Sequence, residues 1–399
     1  MVTTKPSSQE IDNYINQILQ LNFKRAEFKN LSTFLTHLNI HYKPKIITVT
    51  GTNGKGSTVA LISEVFKHNQ IDHICHISPH LHVFNERISH NQKSIDDEAL
   101  CFYLQKIYQA SVELKLQLHY HFIAFLCAWL HIEQQRPQWA ILEVGVGGKL
   151  DPANLFDADI AIITTVALDH CELLGHSLEE IALNKVHIAR SDKPVIVGEP
   201  LPYKAQDYLN EIKATIIAAN PVSQHLMESS GIHPTSLACA LTAIKEISPT
   251  LCLPNNLHQL AVPGRFCIVS KNPLIITDIA HNPQAVQNLM LKIAKLKNKF
   301  KRTIAIFTVH QNKDISQILE DAQRMIDLWL IPDLSGLDVR FKQLKDEQQT
   351  NYFSENTLFF DNHIEAFKYV QHNAQLDDLI VVFGSFVLVG AFIEYYDKK

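Results

Sequence analysis

The glycine-rich stretch GTNGKGS, residues 51–57, constrains the fold most, because it stands between a β-type run (46–50) and a helical pattern (57–67). A glycine-rich turn between a strand and a helix lets backbone N–H groups close on a phosphate, and the helix dipole and Lys55 add positive charge. Ser57 stands where a hydroxyl can hold Mg²⁺. The alternative is a plain strand–turn–helix, but three glycines within seven residues favour a phosphate-binding loop. The loop is two residues shorter than the common G-x-x-x-x-G-K-[ST] form.

Short apolar runs alternate with helical patterns along the rest of the chain. This alternation is typical of a doubly wound, mostly parallel sheet. We expect strands at 46–50, 73–78, 139–144, 160–166, 194–198, 274–280, 303–309, 328–334 and 379–385, and helices within 9–40 and at 95–116, 118–134 and 177–189. A segment rich in proline and asparagine (248–262) is the expected linker. It would separate a P-loop-containing α/β domain (1–255) from a smaller, Rossmann-like α/β domain (262–399).

Charge, cysteine usage and apolar runs argue against several classes of protein. The 399 residues carry a formal net charge of −5 without a basic run, so we expect neither a nucleic-acid nor a membrane partner. No secretory leader is visible at the N-terminus. The longest uncharged apolar run (379–393) is shorter than the roughly 20 residues of a membrane span. Seven cysteines without a C-x-x-C pair indicate reduced core residues of a cytoplasmic protein. The 21 histidines include no H-E-x-x-H motif, so a zinc site is not expected.

Polar residues follow several of the expected strands: Ser78, Glu143 and the pair Asp169-His170. Ligands of open α/β sheets bind beyond the carboxyl ends of the strands. If these strands are neighbours, Ser78, Glu143 and His170 converge on the phosphate loop. A hydroxyl, a carboxylate and an imidazole there are suitable ligands for Mg²⁺. Alternatively, Glu143 makes a salt bridge and His170 is a structural histidine, but their joint placement favours metal binding.

Lys185 lies in the helical pattern SLEEIALNKVHIA (177–189) on the same face as apolar residues. A lysine buried on such a face is unfavourable unless it is paired or neutralised. The alternative is that its long stem reaches solvent or that it pairs with an acidic neighbour.

Eight motifs occur in order along nearly the whole chain, and together they closely resemble the folylpolyglutamate synthase/dihydrofolate synthase family of the Mur-ligase superfamily. They are GTNGKGS (51–57), ISPHLHVFNERI (77–88), EVGVGGKLDPAN (143–154), ALDH (167–170), LGHSLEEIALNK (174–185), VPGRF (262–266), DIAHNP (278–283) and FGSF (383–386).

The resemblance implies an ATP-dependent amide ligase of folate metabolism. ATP would phosphorylate a carboxylate, and L-glutamate would attack the resulting acyl phosphate of 7,8-dihydropteroate or a reduced folate. Residues implied for ATP are Thr52, Asn53, Gly54, Lys55, Gly56, Ser57, Arg265 and Asp278; for Mg²⁺, Ser57, Ser78, Glu143 and His170; for catalysis, Glu143, Lys185 and His281; and for the pterin substrate, Phe122, Leu150, Asp151 and Pro152. Lys185 would be the carbamylated lysine of the family. A monovalent cation is a further expected cofactor, and the expected state is a monomer.

The chain departs from the family pattern at a few positions. His119-Tyr120-His121-Phe122 stands where the family commonly has T-x-F-E in its dihydropteroate contact segment. Asn184 replaces a glutamate, Lys149 replaces an arginine, and an ATP-contacting asparagine before the linker has no clear counterpart. Two alternatives therefore stay open: another Mur-type amino-acid ligase that acts on a UDP-sugar peptide, and a catalytically impaired ATP-binding homologue.

Overall fold

The structure is a computed structural model that describes residues 8–222, 232–255, 257, 260, 262–311, 313–341, 353 and 355–398. The chain divides into two compact units, Met1–Leu260 and Ala261–Lys399. Four residues of the expected linker (256, 258, 259 and 261) lie outside the described residues. In the described part of the chain, no helix combines the length and the hydropathy that a membrane crossing requires.

The first unit is built around an eight-stranded sheet. Its strands, with those of a separate parallel pair formed by β1 and β6, are β1 (Lys24–Arg25), β2 (Lys45–Thr50), β3 (His73–His76), β4 (Ile88–His90), β5 (Lys93–Ser94), β6 (Leu116–Gln117), β7 (Trp139–Glu143), β8 (Ile160–Ile163), β9 (Pro194–Val197) and β10 (Thr215–Ala218). The sheet order is β10-β9-β8-β2-β7-β3-β4-β5. Neighbours from β10 to β3 are parallel, whereas β4 and β5 add an antiparallel edge. β2 therefore lies between β7 and β8 at the centre.

Helices cover the central strands of this sheet. They are α1 (Ser8–Leu19), α2 (Leu31–His37), α3 (Lys55–His68), α4 (Asp97–Leu114), α5 (Tyr120–Gln135), α6 (Cys171–Leu174), α7 (Leu178–Val186), α8 (Tyr203–Glu211) and α9 (Pro234–Ile247). All five residues of β7 are buried, as expected for a parallel strand that is covered on both faces. Trp129 of α5 is fully buried and stacks on Phe156 with 3.6 Å between ring centroids.

The second unit contains a six-stranded sheet with the order β11-β12-β16-β13-β14-β15. β11 pairs antiparallel with β12, and the other pairs are parallel. The buried aromatic rings of Phe307, Trp329 and Phe383 pack together in its core. The elements are β11 (Cys267–Lys271), β12 (Leu274–Asp278), α10 (Pro283–Lys297), β13 (Arg302–Phe307), α11 (Ile315–Leu319), β14 (Leu328–Pro332), β15 (Thr357–Phe360), α12 (His363–Asn373), β16 (Asp378–Phe383) and α13 (Phe386–Asp397).

The α/β class and the mostly parallel sheets are confirmed, and each predicted strand is present, usually one to three residues shorter. The helical pattern within 9–40 forms two helices, α1 and α2, on either side of the two-residue strand β1. The strands β4, β5, β10, β11 and β15, which lie at or next to the edges of the two sheets, were not expected from the sequence. These strands are short and several are exposed, so they lack the buried apolar run by which a central strand is recognised.

Candidate functional site

The loop between β2 and α3 requires glycine at two positions. Gly54 has a φ of +86°, and a methyl group there would lie 2.4 Å from Ser236 Oγ. At Gly51, with a φ of +150°, a methyl group would lie 1.9 Å from Thr164 Oγ1. Both positions combine a backbone conformation that disfavours L side chains with a lack of space. The loop is thus packed closely against Thr164, the first residue after β8, and Ser236 of α9.

Lys55 is the first residue of α3 and folds back over this loop. Its Nζ donates hydrogen bonds to the carbonyl oxygens of Gly51, at 3.0 Å, and Thr52, at 3.2 Å. The backbone N–H of Asn53 donates to Thr165 Oγ1 at 2.9 Å. Ser57 is buried in the first turn of α3. A positive side chain and a helix N-terminus at one loop favour an anion such as a phosphate group.

Glu143 lies beside the phosphate loop at the end of β7 and is 6% exposed. Its Oε2 accepts a hydrogen bond from the Ser78 backbone N–H at 3.3 Å. A methyl group at Gly56 would lie 3.5 Å from the same oxygen. The carboxylate therefore lies between the first turn of α3 and the segment that follows β3. Ser78 Oγ is buried and has no hydrogen-bond partner in the described part of the chain.

His170 follows β8 and has a left-handed backbone with a φ of +51°. Its ring Nε2 lies 4.0 Å from Asp169 Oδ2, and its side chain is 42% exposed. No three His, Cys, Asp or Glu side chains gather in a metal-binding cluster within the described residues. A Mg²⁺ ion at this sheet edge would therefore need hydroxyl or phosphate oxygens besides Glu143 and His170.

Lys185 is buried in α7, at 3% exposure, as its apolar helix face predicts. The pKa of this amine is lowered from 10.5 to about 7, chiefly by burial and also by the positive charge of Lys55, while Asp169 and Asp151 oppose the shift. The neutral amine is therefore far more accessible to Lys185 at pH 7 than to an exposed lysine.

The helix that carries Lys185 packs on the loop that follows Glu143. Asn184 accepts hydrogen bonds from the Lys149 backbone N–H through its carbonyl oxygen, at 3.1 Å, and through Oδ1, at 3.3 Å. A methyl group at Gly148 would lie 2.8 Å from the Lys185 carbonyl oxygen. The loop that follows Glu143 therefore packs directly on α7, the helix that carries Lys185.

Asp151 is 4% exposed, and hydrogen bonds from the chain occupy both of its carboxylate oxygens. Oδ2 accepts from the Gly145 N–H at 2.9 Å, the Val146 N–H at 3.2 Å and His121 Nε2 at 3.0 Å, while Oδ1 accepts from the Ala153 N–H at 3.0 Å. Burial raises the pKa of Asp151, but the charge and hydrogen bond of His121 and the backbone N–H groups outweigh it, so this pKa lies below its ordinary value.

The other residues implied for the pterin substrate differ widely in exposure. Leu150 is 66% exposed, whereas Pro152 and Phe122 are buried. The His121 ring lies against Gly145, where a methyl group would be 2.8 Å from its Nε2. The sequence analysis noted His121 only as a departure and missed its contact with Asp151.

Ser236 was also missed as a candidate. It is the third residue of α9, is 1% exposed, and donates from Oγ to the Gly54 carbonyl oxygen at 3.2 Å. The only available signal was a polar residue in the first turn of an apolar helix. Ser236 belongs to the segment in which no counterpart of the ATP-contacting asparagine was found.

In the second unit, Asp278 ends β12 and is 9% exposed. Its Oδ2 accepts from the Phe266 N–H at 2.9 Å, and its Oδ1 accepts from the Ala280 N–H at 2.8 Å. The Arg265 guanidinium lies 6.0 Å from the ring centroid of Phe386. The Asp278 carboxylate thus binds both the segment before β11, at Phe266, and the segment after β12, at Ala280.

His281 lies near the same end of the second sheet. Its Nδ1 is 2.7 Å from the Ile279 carbonyl oxygen, and its ring centroid is 6.1 Å from that of Phe386. Asp278 of β12 and Phe383 of β16 are register partners. Arg265, Asp278 and His281 therefore gather where two neighbouring strands end.

Two family matches define the class of protein. Residues 49–198 match the Mur ligase middle domain, and residues 264–386 match the Mur ligase glutamate ligase domain. The chain thus has the two parts of a Mur-type ligase.

Full-length relatives are more specific. The dihydrofolate synthase/folylpolyglutamate synthase of Escherichia coli (strain K12) is 30% identical over 378 residues, which cover 89% of this chain and 87% of the relative. The solved structure of E. coli FolC in complex with DHPP and ADP is 27% identical, with a TM-score of 0.86 and coverage of 99% and 98%. A Yersinia pestis folylpolyglutamate synthase/dihydrofolate synthase complexed with AMPPNP and Mn ion is 25% identical, with a TM-score of 0.85 and coverage of 99% and 98%. The chain belongs to the dihydrofolate synthase/folylpolyglutamate synthase family.

Proposed function

We propose that this chain joins L-glutamate to 7,8-dihydropteroate and to reduced folates, with ATP as the source of energy. The observation that carries the proposal is the position of Glu143. Its carboxylate lies against the first turn of the phosphate-loop helix, at Gly56, and accepts from the Ser78 N–H. A carboxylate at a phosphate loop supports a reaction at the terminal phosphate of ATP.

At the phosphate loop, the chain binds and orients the nucleotide. The loop from Thr52 to Ser57 and the first turn of α3 surround the phosphates, and Lys55 exchanges its carbonyl contacts for phosphate oxygens. The substrate carboxylate attacks the terminal phosphorus, ADP leaves, and an acyl phosphate forms. The amine of L-glutamate then attacks the acyl carbon and phosphate leaves, which yields the amide. Such a reaction depends on positioning and charge stabilisation, so the protein needs no covalent nucleophile.

The residues at this sheet edge fit a magnesium ion. Ser78 Oγ is a buried hydroxyl without a partner in the described chain, and the backbone N–H of the same residue donates to Glu143 Oε2, so the site offers the hard oxygen donors that Mg²⁺ prefers. We assign Ser57, with the phosphate loop, to one Mg²⁺ ion, and Ser78, Glu143 and His170 to a second. When bound, Mg²⁺ neutralises charge on the transferring phosphate.

Lys185 serves as a carbamate in this proposal. Its neutral amine attacks CO₂, forms an N–C bond and releases one proton. The product replaces a buried cation by an anion on a long stem. Support comes from its burial and from its lowered pKa.

Phe122, Leu150, Asp151 and Pro152 lie along the pterin substrate in this proposal. The occupied oxygens of Asp151 favour a role in shaping this pocket. In the second unit, Arg265 and Asp278 contact ATP, and His281 lies near the terminal phosphate and the incoming glutamate. A monovalent cation as an additional cofactor, a monomeric state and a cytoplasmic location complete the proposal.

The test is phosphate release from ATP in the presence of L-glutamate with different acceptors. We expect turnover with dihydropteroate and with tetrahydrofolate. Turnover only with a UDP-sugar peptide precursor would overturn the folate assignment in favour of another Mur-type ligase. ATP binding without turnover on any acceptor would indicate a catalytically impaired homologue.

A further inference from the structure

Lys292, which has no role in the proposed function, belongs to a cluster of charged and aromatic groups at the end of β12. It lies on α10 and is half-buried. Its Nζ lies 4.8 Å from the ring centroid of Phe266. The N–H of Phe266 in turn donates to Asp278 Oδ2 at 2.9 Å. Phe266 therefore contacts the Lys292 ammonium through its ring and the Asp278 carboxylate through its backbone N–H.

Asp278 needs positive charge to remain ionised where it lies. Burial raises the pKa of its carboxyl, and Arg265, Lys292 and the two backbone N–H donors, at Ala280 and Phe266, lower it. The Cys267 thiol lies against the Val262 and Arg265 carbonyl oxygens, and its pKa is raised by burial and, to a smaller extent, by the charge of Asp278. Among the described residues, Arg265 and Lys292 are thus the cations that stabilise the buried carboxylate.

The two cations differ in their place in the fold. Arg265 lies in the loop before β11 and is one of the residues that we assign to ATP. Lys292 lies two and a half turns into α10, and burial lowers its pKa while Asp278 raises it. If Arg265 turns toward the nucleotide, Lys292 is the cation that remains with the carboxylate.

We propose that Lys292 is a positioning residue that keeps Asp278 in its carboxylate form, so that Asp278 holds the Phe266 and Ala280 N–H groups in the arrangement that binds ATP. This inference rests on the assignment of Asp278 to ATP in the proposed function. A neutral carboxyl accepts hydrogen bonds more weakly than a carboxylate, so protonation of Asp278 would loosen both flanking segments.

The experiment measures the dissociation constant of Mg·ATP for the full chain by titration calorimetry, between about pH 5 and pH 8. Lys292→Met removes the charge, so the pKa of Asp278 rises and the acid-side loss of ATP affinity moves to higher pH. We expect a shift of roughly one pH unit, and about tenfold weaker binding on the acid side. Lys292→Arg should restore the wild-type profile. Lys295→Met is the matched control, because Lys295 is an exposed lysine on the same helix, and its profile should be that of the wild type.

A Lys292→Met profile that superimposes on the wild type overturns the inference. Affinity for Mg·ATP that is weaker by the same factor at every pH also overturns the inference, because a merely structural effect does not depend on the protonation of Asp278. Thermal unfolding of each variant monitors the fold, and Lys292→Gln provides the same test if the methionine variant does not fold. A wild-type protein that binds ATP with the expected profile but ligates no glutamate refutes the proposed function and leaves the role of Lys292 intact.

Discussion

Replacement of Lys185 by methionine should abolish activity and at the same time stabilise the unmodified protein. The side chain is 3% exposed, and its pKa is lowered from 10.5 to about 7. Each pKa unit corresponds to about 1.4 kcal/mol, so keeping this amine protonated in the folded state costs on the order of 5 kcal/mol. Methionine has a similar length and carries no charge to desolvate.

The sign of the pH dependence follows from the direction of this shift. The folded-state pKa of Lys185 lies below the unfolded value of 10.5, so the folded state binds fewer protons between about pH 7 and pH 10. Stability should therefore rise with pH across this window and reach its lowest level near and below pH 7. K185M should remove this contribution and be more stable than the wild type at pH 7 by a few kcal/mol. Urea unfolding in CO₂-free buffer measures this difference in the free energy of unfolding. Lys149→Met, which replaces an exposed lysine, is the control.

The same neutral amine makes the activity dependent on CO₂. An exposed lysine is almost entirely protonated at pH 7, whereas the lowered pKa of Lys185 makes its neutral amine available at that pH. Protein prepared without CO₂ should be poorly active and should recover with bicarbonate, and ¹³C-labelled bicarbonate should give a carbamate signal that K185M lacks. A short carboxylate added to K185M should restore part of the activity. Near-wild-type turnover by K185M, or a fully active protein with an unmodified lysine, would refute the reasoning.

Three further substitutions test the rest of the site. Glu143→Ala should lower kcat on the order of 10²-fold or more with an unchanged unfolding transition; a kcat near that of the wild type would remove Glu143 from the metal site. Gly54→Ala should weaken ATP binding in calorimetry and destabilise the protein by roughly 1–3 kcal/mol, since the methyl group would lie 2.4 Å from Ser236 Oγ; unchanged affinity would show that the loop adapts. His121→Phe removes one donor to the buried Asp151 carboxylate and should cost about 1–3 kcal/mol of stability. It should raise KM for dihydropteroate while KM for ATP stays constant, and an equal rise in both would argue against a role at the pterin.

Much of the fold and the centre of the site could be predicted because the carboxyl ends of parallel strands lie at the same edge of a sheet. β2 and β7 are buried, mostly apolar strands, and β3 is a buried strand with a histidine at each end. The polar residue at or soon after the end of each strand lies at the same edge of the sheet. The approach of Glu143 to both Gly56 and Ser78 follows from β7 pairing with β2 and with β3. This contact was expected only if these strands were neighbours, and the observed pairing meets that condition. The roles assigned to these residues stay predictions that the substitutions above test.

His121 and Ser236 could not be predicted in the same way, because their contacts depend on where a helix begins against a distant loop. His121 reaches Asp151 across 30 positions in the sequence, and Ser236 reaches Gly54 across 182. Neither contact has a periodic signature, since each needs the start of α5 or α9 to be placed within hydrogen-bond distance of a glycine-rich loop. Both helices nevertheless contribute a polar side chain from their first turn to a loop whose glycines leave no room for a side chain of their own. The side chains that meet Gly54 and Gly145, Ser236 and His121, therefore come from helix starts that are distant in the sequence from the loops they contact, and a local motif does not reveal them.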